Sequence, residues 1–219
     1  MKYYLYLATI IISIGLSSST EDNDGVVNPP LEVYIIDVPE LPKATSVKGT
    51  SYSASIYVVD NLYKEVYGPY MGSSYPNSKE TIDSSGNHTD RPSTVMDGAH
   101  LFNNKFGHKG GTKKGLNLIN PTGKRIVDGF SWTHKPTKVV CANVHSGLSD
   151  KGNYNSRGSM GCMTIHPADV DTFFSHFDFS KSTKGNAEGV LYIFRDKEDQ
   201  REKLAEQIQS LFKKDNDEQ

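Results

Sequence analysis

Apolar residues alternate with polar ones along several short stretches of the chain, and only late do they recur at helical spacing. Leu31 to Val38 (LEVYIIDV) and Ser55 to Asp60 (SIYVVD) are rich in β-branched and aromatic residues and are bounded by Pro, Gly and Ser, which predicts two strands. Thr137 to His145 (TKVVCANVH) alternates as one strand, with Val139, Cys141, Asn143 and His145 on one face and Val140, Ala142 and Val144 on the other. Pro167 to Phe177 changes period: Val170, Phe173, Phe174 and Phe177 recur at i, i+3, i+4 and i+7 behind a proline suited to a first helical turn. Gly189 to Phe194 predicts one more strand. From Asp196 to Lys214, Leu204, Ile208, Leu211 and Phe212 mark one face of a last helix. Gly68 to Asp97 holds few apolar residues among Ser, Asn, Gly, Asp and Pro, and predicts a long loop able to roof a site. Strands early and helices late predict a mostly β fold, a sandwich or a barrel-like sheet with a few flanking helices.

Length and charge narrow the classes of function. The chain has 219 residues, enough for one domain with appendages. Lys and Arg number 24 against 26 for Asp and Glu, so no global positive field favours nucleic acid as a partner. Residues 1–20 carry Lys2, an apolar run from Tyr3 to Leu16 and small polar residues after it, the profile of a signal peptide or short anchor. That run is shorter than the ~20 residues of a membrane span. It implies an exported protein of the periplasm or cell envelope, with peripheral membrane association through this segment as a further expectation. Residues 21–49 follow as an acidic, Pro-closed linker and an N-terminal strand.

Two cysteines are too few for a disulfide scaffold and leave three readings: a bridge, a metal pair or a chemically active thiol. Cys141 and Cys162 each precede a histidine, His145 and His166, by four positions. Along one strand, however, Cys141 and His145 would stand about 13 Å apart, too far to share one tetrahedral zinc, so no metal is expected. A Cys141–Cys162 bridge suits an exported protein. Cys141 also reads as a buried small apolar residue. Cys162 lies in a different setting, Asn143 to His166, where a strand-terminal histidine leads into a Gly-rich polar loop and then into Gly161-Cys162. Gly158 and Gly161 would allow tight positive-φ backbone near the thiol. A cysteine nucleophile needs a base to raise its thiolate fraction, and backbone N–H groups for the oxyanion it creates.

His145-Ser146-Gly147, with Ser159-Met160-Gly161-Cys162 ending 17 positions after His145, resembles the signature of the L,D-transpeptidase (YkuD-like) catalytic domain. Pro92 to His100 is similar to an upstream segment of that family, with Val95 where the family commonly has proline, and Val170 to Phe177 is similar to its post-cysteine helix. The resemblance covers residues 50–195 and leaves 196–219 as a C-terminal helix and polar tail. It implies Cys162 as nucleophile, His145 as base, and Ser146 or a neighbouring backbone carbonyl as the group that orients the imidazole. Gly161 and the Cys162 amide would contribute to the oxyanion hole. Arg157, Ser159, Thr164, Tyr70 and His100 are the candidate substrate-binding residues, with Thr164 standing where the family usually has Arg or Asn. The implied substrates are peptidoglycan stem peptides, cross-linked or hydrolysed through a thioester without a cofactor; the alternative is a noncatalytic cell-wall-binding domain of the same fold. The remaining histidines, His88, His108, His134 and His176, show no partner pattern and read as surface or ordinary polar positions, and His166 as a local cap.

Overall fold

Strands whose alternate residues are apolar bury one face, and here they do so by curling into a closed cylinder. A computed structural model describes residues 30–39, 52–76, 81–82, 88–90, 93–104, 107–108, 112–131, 134–147, 161–180, 187–195 and 198–213. The predicted signal segment, most of the linker, Arg157, Ser159 and the end of the polar tail lie outside these residues. In chain order the strands are β1 (Leu31–Asp37), β2 (Ala54–Asp60), β3 (Glu65–Ser73), β4 (Thr81–Ile82), β5 (His88–Asp90), β6 (Thr94–Val95), β7 (Gly98–Asn103), β8 (Leu116–Ile119), β9 (Ile126–Phe130), β10 (Pro136–Val140), β11 (Asn143–Ser146), β12 (Met163–Ile165) and β13 (Gly189–Arg195). The described helices are α1 (Val170–Ser175) and α2 (Glu198–Lys213).

Eight strands close in the order β1-β13-β7-β8-β11-β12-β3-β2, while β10-β9-β6 form a separate three-stranded sheet and β4 pairs with β5. The architecture is therefore a mostly β barrel with helices around it. β1 lies between β13, parallel to it, and antiparallel β2, so the barrel takes in residues ahead of the start at 50 that the resemblance implies.

Period-two alternation sorts the side chains. Val33, Ile35, Ile56, Val58, Phe102, Leu116, Leu118, Val144, Met163, Ile165, Leu191 and Ile193 fill the interior, all essentially without exposure. The apolar face of α1 (Phe173 and Phe174, with Phe177 beyond it) joins this core beside Phe102 and Tyr70. Val95, Val127 and Val139 of the three-stranded sheet join it as well. On the outer face, Tyr34, Ile36, Tyr57 and Val59 are covered by Leu204 and Ile208 of α2, spaced i and i+4 as an amphipathic helix requires.

At one barrel mouth, Asp37 and Arg195 hold the strand ends together. The Asp37 carboxylate accepts from Ser53 Oγ at 2.5 Å, Ser74 N at 2.8 Å and Ser74 Oγ at 2.7 Å. Arg195 donates to the carbonyls of Ser74 and Val95 at 3.0 Å each, pairs with Asp97 and lies over the Tyr75 ring. Planar guanidinium donors that satisfy several carbonyls at once suit such a buried junction.

Three expectations change. Much of the predicted loop from Gly68 to Asp97 is strand: β3 runs through Tyr70 to Ser73, because Gly68 (φ 112°) sits where an added Cβ would lie 2.5 Å from the Ile56 carbonyl oxygen, and a register shift between Ile56 and Val58 absorbs the irregularity. The predicted strand Thr137 to His145 is two strands, broken at Cys141, whose φ is 60°. The predicted helix from Pro167 is shorter, since His166 to Asp169 form a turn before α1, with the Asp169 amide donating to the His166 carbonyl at 2.9 Å.

Candidate functional site

The break at Cys141 places the groups that the sequence pattern singles out. A left-handed non-glycine residue turns its peptide away from the strand direction, and here that turn is anchored on both sides. The Cys141 amide donates to the Arg125 carbonyl at 2.8 Å, and the Ala142 carbonyl accepts from Leu118 at 2.9 Å. β11 then runs parallel to β12 with Val144 opposite Met163, His145 opposite Thr164 and Ser146 opposite Ile165. Val144, Met163 and Ile165 face the core. By alternation, Asn143, His145 and Thr164 share the outer face, and Cys162 immediately precedes β12. Cys162 stands two positions ahead of Thr164, the residue paired with His145, so the strand pairing brings the two segments side by side.

His145 is buried at 3% exposure, and its Nδ1 lies 2.7 Å from the Ser146 carbonyl oxygen. A carbonyl can only accept, so Nδ1 carries the proton and the neutral ring presents Nε2 as its basic nitrogen. The orienting group is thus the backbone of Ser146, while its hydroxyl donates to the Gly147 carbonyl at 3.2 Å.

The thiol of Cys162 makes a long contact of 4.0 Å with the Cys141 carbonyl oxygen. The same carbonyl accepts from Asn143 Nδ2 at 3.2 Å. Both cysteines are thiols, and Cys141, expected to be buried, is exposed. Its contribution is the carbonyl that its left-handed conformation turns toward Cys162, because the side chain of a residue in that conformation cannot continue the inward alternation of β10. Among the described residues, no three His, Cys, Asp or Glu side chains converge as metal ligands.

Gly161 does not use a positive φ. Its requirement is space, since a Cβ there would stand 3.2 Å from the Ser93 carbonyl oxygen and 3.5 Å from Val139 Cγ1. The glycine lets the cysteine turn slide beneath the three-stranded sheet. Gly147 is likewise closed to a side chain, because a Cβ would meet the Tyr52 hydroxyl at 2.2 Å.

Of the described candidate substrate-binding residues, Thr164 lies beside His145 and Tyr70 and His100 do not. Thr164 shares the outer face with His145 and is buried, and its hydroxyl has no hydrogen-bond partner among the described residues. Tyr70 points into the barrel, where its ring meets Phe173 edge-on and its hydroxyl lies 2.6 Å from His176 Nε2. His100 also lies on the inner face of its strand, opposite core residue Leu191, and donates from Nε2 to the Met96 carbonyl at 2.7 Å. Burial pushes the pKa of His100 down, against opposing hydrogen-bond and carboxylate contributions.

One residue beside His145, His108, was not singled out by the sequence. His108 stacks flat on His145, with ring centroids 3.8 Å apart and planes 11° from parallel. Its Nδ1 lies 3.2 Å from Asn143 Oδ1. Asn143 was legible through alternation, which set it on the His145 face; His108 sits in a Gly- and Lys-rich turn with no periodic signal. His176, read as a surface position, stacks on Tyr67 at 4.0 Å. His166 caps locally, its Nδ1 accepting from the Ala168 amide at 3.2 Å.

A thiol, a buried imidazole with a fixed tautomer, and a carbonyl that contacts the thiol can together carry out acyl transfer to sulfur. Among family models, curated proteins and solved structures, no match to this chain is found.

Proposed function

We propose that the chain is a cysteine-dependent acyltransferase of the L,D-transpeptidase type that acts on peptidoglycan stem peptides in the cell envelope. The observation that carries this reading is the pairing of β11 with β12, in which His145 lies opposite Thr164, two positions after Cys162, with the His145 tautomer fixed by the Ser146 carbonyl. The resemblance of His145-Ser146-Gly147 and Ser159-Met160-Gly161-Cys162 to that family supports the substrate class, and the N-terminal apolar segment supports export.

In this mechanism His145 Nε2 takes the proton from Cys162 Sγ. The sulfur attacks the carbonyl that joins the L-centre of a diamino acid to a terminal D-alanine, and the electron pair moves onto the carbonyl oxygen. Collapse of that adduct breaks the C–N bond, His145 returns the proton to the departing amine, and a thioester on Cys162 remains. An amine of a second stem peptide, deprotonated by His145, displaces the sulfur and forms the cross-link. Water in the same role gives L,D-carboxypeptidase activity. No cofactor enters either route. Gly161 and the Cys162 amide are the candidate oxyanion donors.

Muropeptide turnover by the wild-type protein, Cys162→Ala and His145→Ala tests the reading, together with intact-mass detection of an acyl adduct from a carbapenem-type β-lactam. Both variants should be inactive, and the adduct should map to Cys162. Undiminished turnover in Cys162→Ala would refute a cysteine mechanism.

A further inference from the structure

We infer that His108 is a positioning residue for His145: its ring fixes the plane of the buried imidazole by stacking, and its Nδ1 links through Asn143 to the carbonyl that contacts the Cys162 thiol. The inference rests on the proposed role of His145 as base.

The turn that carries His108 is held against the barrel at several points. Gly107 gives its carbonyl to Asn117 Nδ2 at 2.8 Å. The His108 amide donates to the Lys113 carbonyl at 2.8 Å, and the Lys113 amide returns a bond of 3.2 Å to the His108 carbonyl. Gly115 lets this turn close on β11, since a Cβ there would stand 3.2 Å from the Val144 carbonyl oxygen and 3.3 Å from His108 Cβ. The His108 backbone is thus located independently of its ring, and the ring lies on His145.

Hydrogen-bond directions follow from the acceptors. The Cys141 carbonyl only accepts, so the amide nitrogen of Asn143 faces it and Oδ1 faces His108. Oδ1 also only accepts, so His108 donates from Nδ1. One run of contacts therefore joins His108, Asn143, the Cys141 carbonyl and the Cys162 thiol, while the stack joins His108 directly to the base.

The two contacts to His145 constrain different motions. A hydrogen bond from Nδ1 to the Ser146 carbonyl holds one edge of the ring but still permits tilting about that edge. A flat neighbour at 3.8 Å opposes the tilt. Nε2 is then held in one place, and for a catalytic base a displacement near 1 Å can cost about 100-fold in rate. The π face of a neutral His108 ring would also favour the imidazolium that His145 becomes after proton transfer.

Two volume-filling substitutions isolate the stack. His108→Phe keeps a flat ring, and His108→Leu fills the space without one. The readouts are the iodoacetamide alkylation rate of Cys162, kcat and KM on muropeptides, and the melting temperature, with Cys162→Ala and His145→Ala alongside. His108→Phe, which keeps the stack and loses the Nδ1 bond to Asn143, should retain more of the alkylation rate and kcat than His108→Leu, which should lose roughly 10- to 100-fold in both with KM little changed. Equal rates for the Leu and Phe variants, with Cys162→Ala and His145→Ala inactive, would overturn the positioning role and leave the cysteine mechanism standing. Turnover retained in Cys162→Ala would overturn both.

Discussion

Gly72 is where the barrel's packing and the position of Cys162 are most directly coupled. It lies on β3 opposite Ile165 of β12. A Cβ added there would fall 2.6 Å from the Thr164 carbonyl oxygen and 2.3 Å from Ile56 Cδ1. Real Cβ atoms essentially never come closer than 3.0 Å, so Gly72→Ala must part β3 from β12 by roughly 0.4 Å and also displace the Ile56 side chain. Ile56 has no exposed surface and can move only against other core side chains. Overpacking of this kind costs about 1–3 kcal/mol, which at about 2–4 °C per kcal/mol for a domain of this size lowers the melting temperature by roughly 2–12 °C. The shift passes to Cys162, two positions ahead of Thr164 on the same segment, so alkylation of Cys162 should slow as well. Adding Ile56→Val removes Cδ1 but leaves the carbonyl clash, and should restore only part of the stability. Melting by circular dichroism and timed iodoacetamide labelling measure the two effects. A Gly72→Ala protein that melts within 1 °C of wild type and labels at the wild-type rate would refute the claim that this strand pair positions the thiol.

Other perturbations test separate features. Cys141→Gly should keep turnover, because the Cys141 carbonyl and not its side chain faces the site, whereas Cys141→Val should cost about 1–2 kcal/mol from a β-branched residue at φ 60°, read by urea unfolding. Burial raises the Glu32 pKa above its ordinary 4.5 despite hydrogen bonds from Tyr34, Asn61 and Tyr192. The folded state therefore holds the proton longer than the unfolded chain, and stability falls as pH rises from 4.5 through the higher folded value. Glu32→Gln, which keeps an acceptor for Tyr34, should raise the melting temperature at pH 7–8 and lose this gain near pH 4; a gain independent of pH would contradict the burial argument. His176 has its pKa lowered, chiefly by burial and against the attraction of Asp60 and Glu65. Protonation then favours unfolding, so its contribution is complete above about pH 6.5 and is lost as pH falls through that value toward the folded one; His176→Phe should flatten this part of a stability-against-pH curve.

Much of the barrel was legible because alternation is a local property. Leu31 to Val38 and Gly189 to Phe194 announce themselves as strands, and β1 and β13 are the observed elements there. Their parallel pairing was not legible, since it joins residues 158 positions apart, Leu31 with Gly189, and no local signal encodes a partner. β3 was hidden because its apolar positions are diluted by Gly68, Pro69, Gly72 and Ser73, residues whose use is to admit close neighbours, as the Ile56 and Thr164 contacts show.

The site divides along the same line. Alternation correctly set Asn143 and His145 on one face, yet Cys141 was carried along with them because a residue at φ 60° is indistinguishable in sequence from its neighbours unless it is glycine or asparagine. That single dihedral changes the chemistry available: extended, Cys141 would offer a side chain to its strand face, whereas turned, it offers a carbonyl to Cys162 and to Asn143. His108 was unreadable for a different reason. Its partner lies 37 positions away across the barrel surface, and the residues that bring it there, Gly107, Gly115 and Asn117, act through a backbone carbonyl, a missing Cβ and a side-chain amide. Periodicity reports none of these. The thiol and the imidazole could be named from their spacing, but the groups that hold them in place are largely backbone and shape.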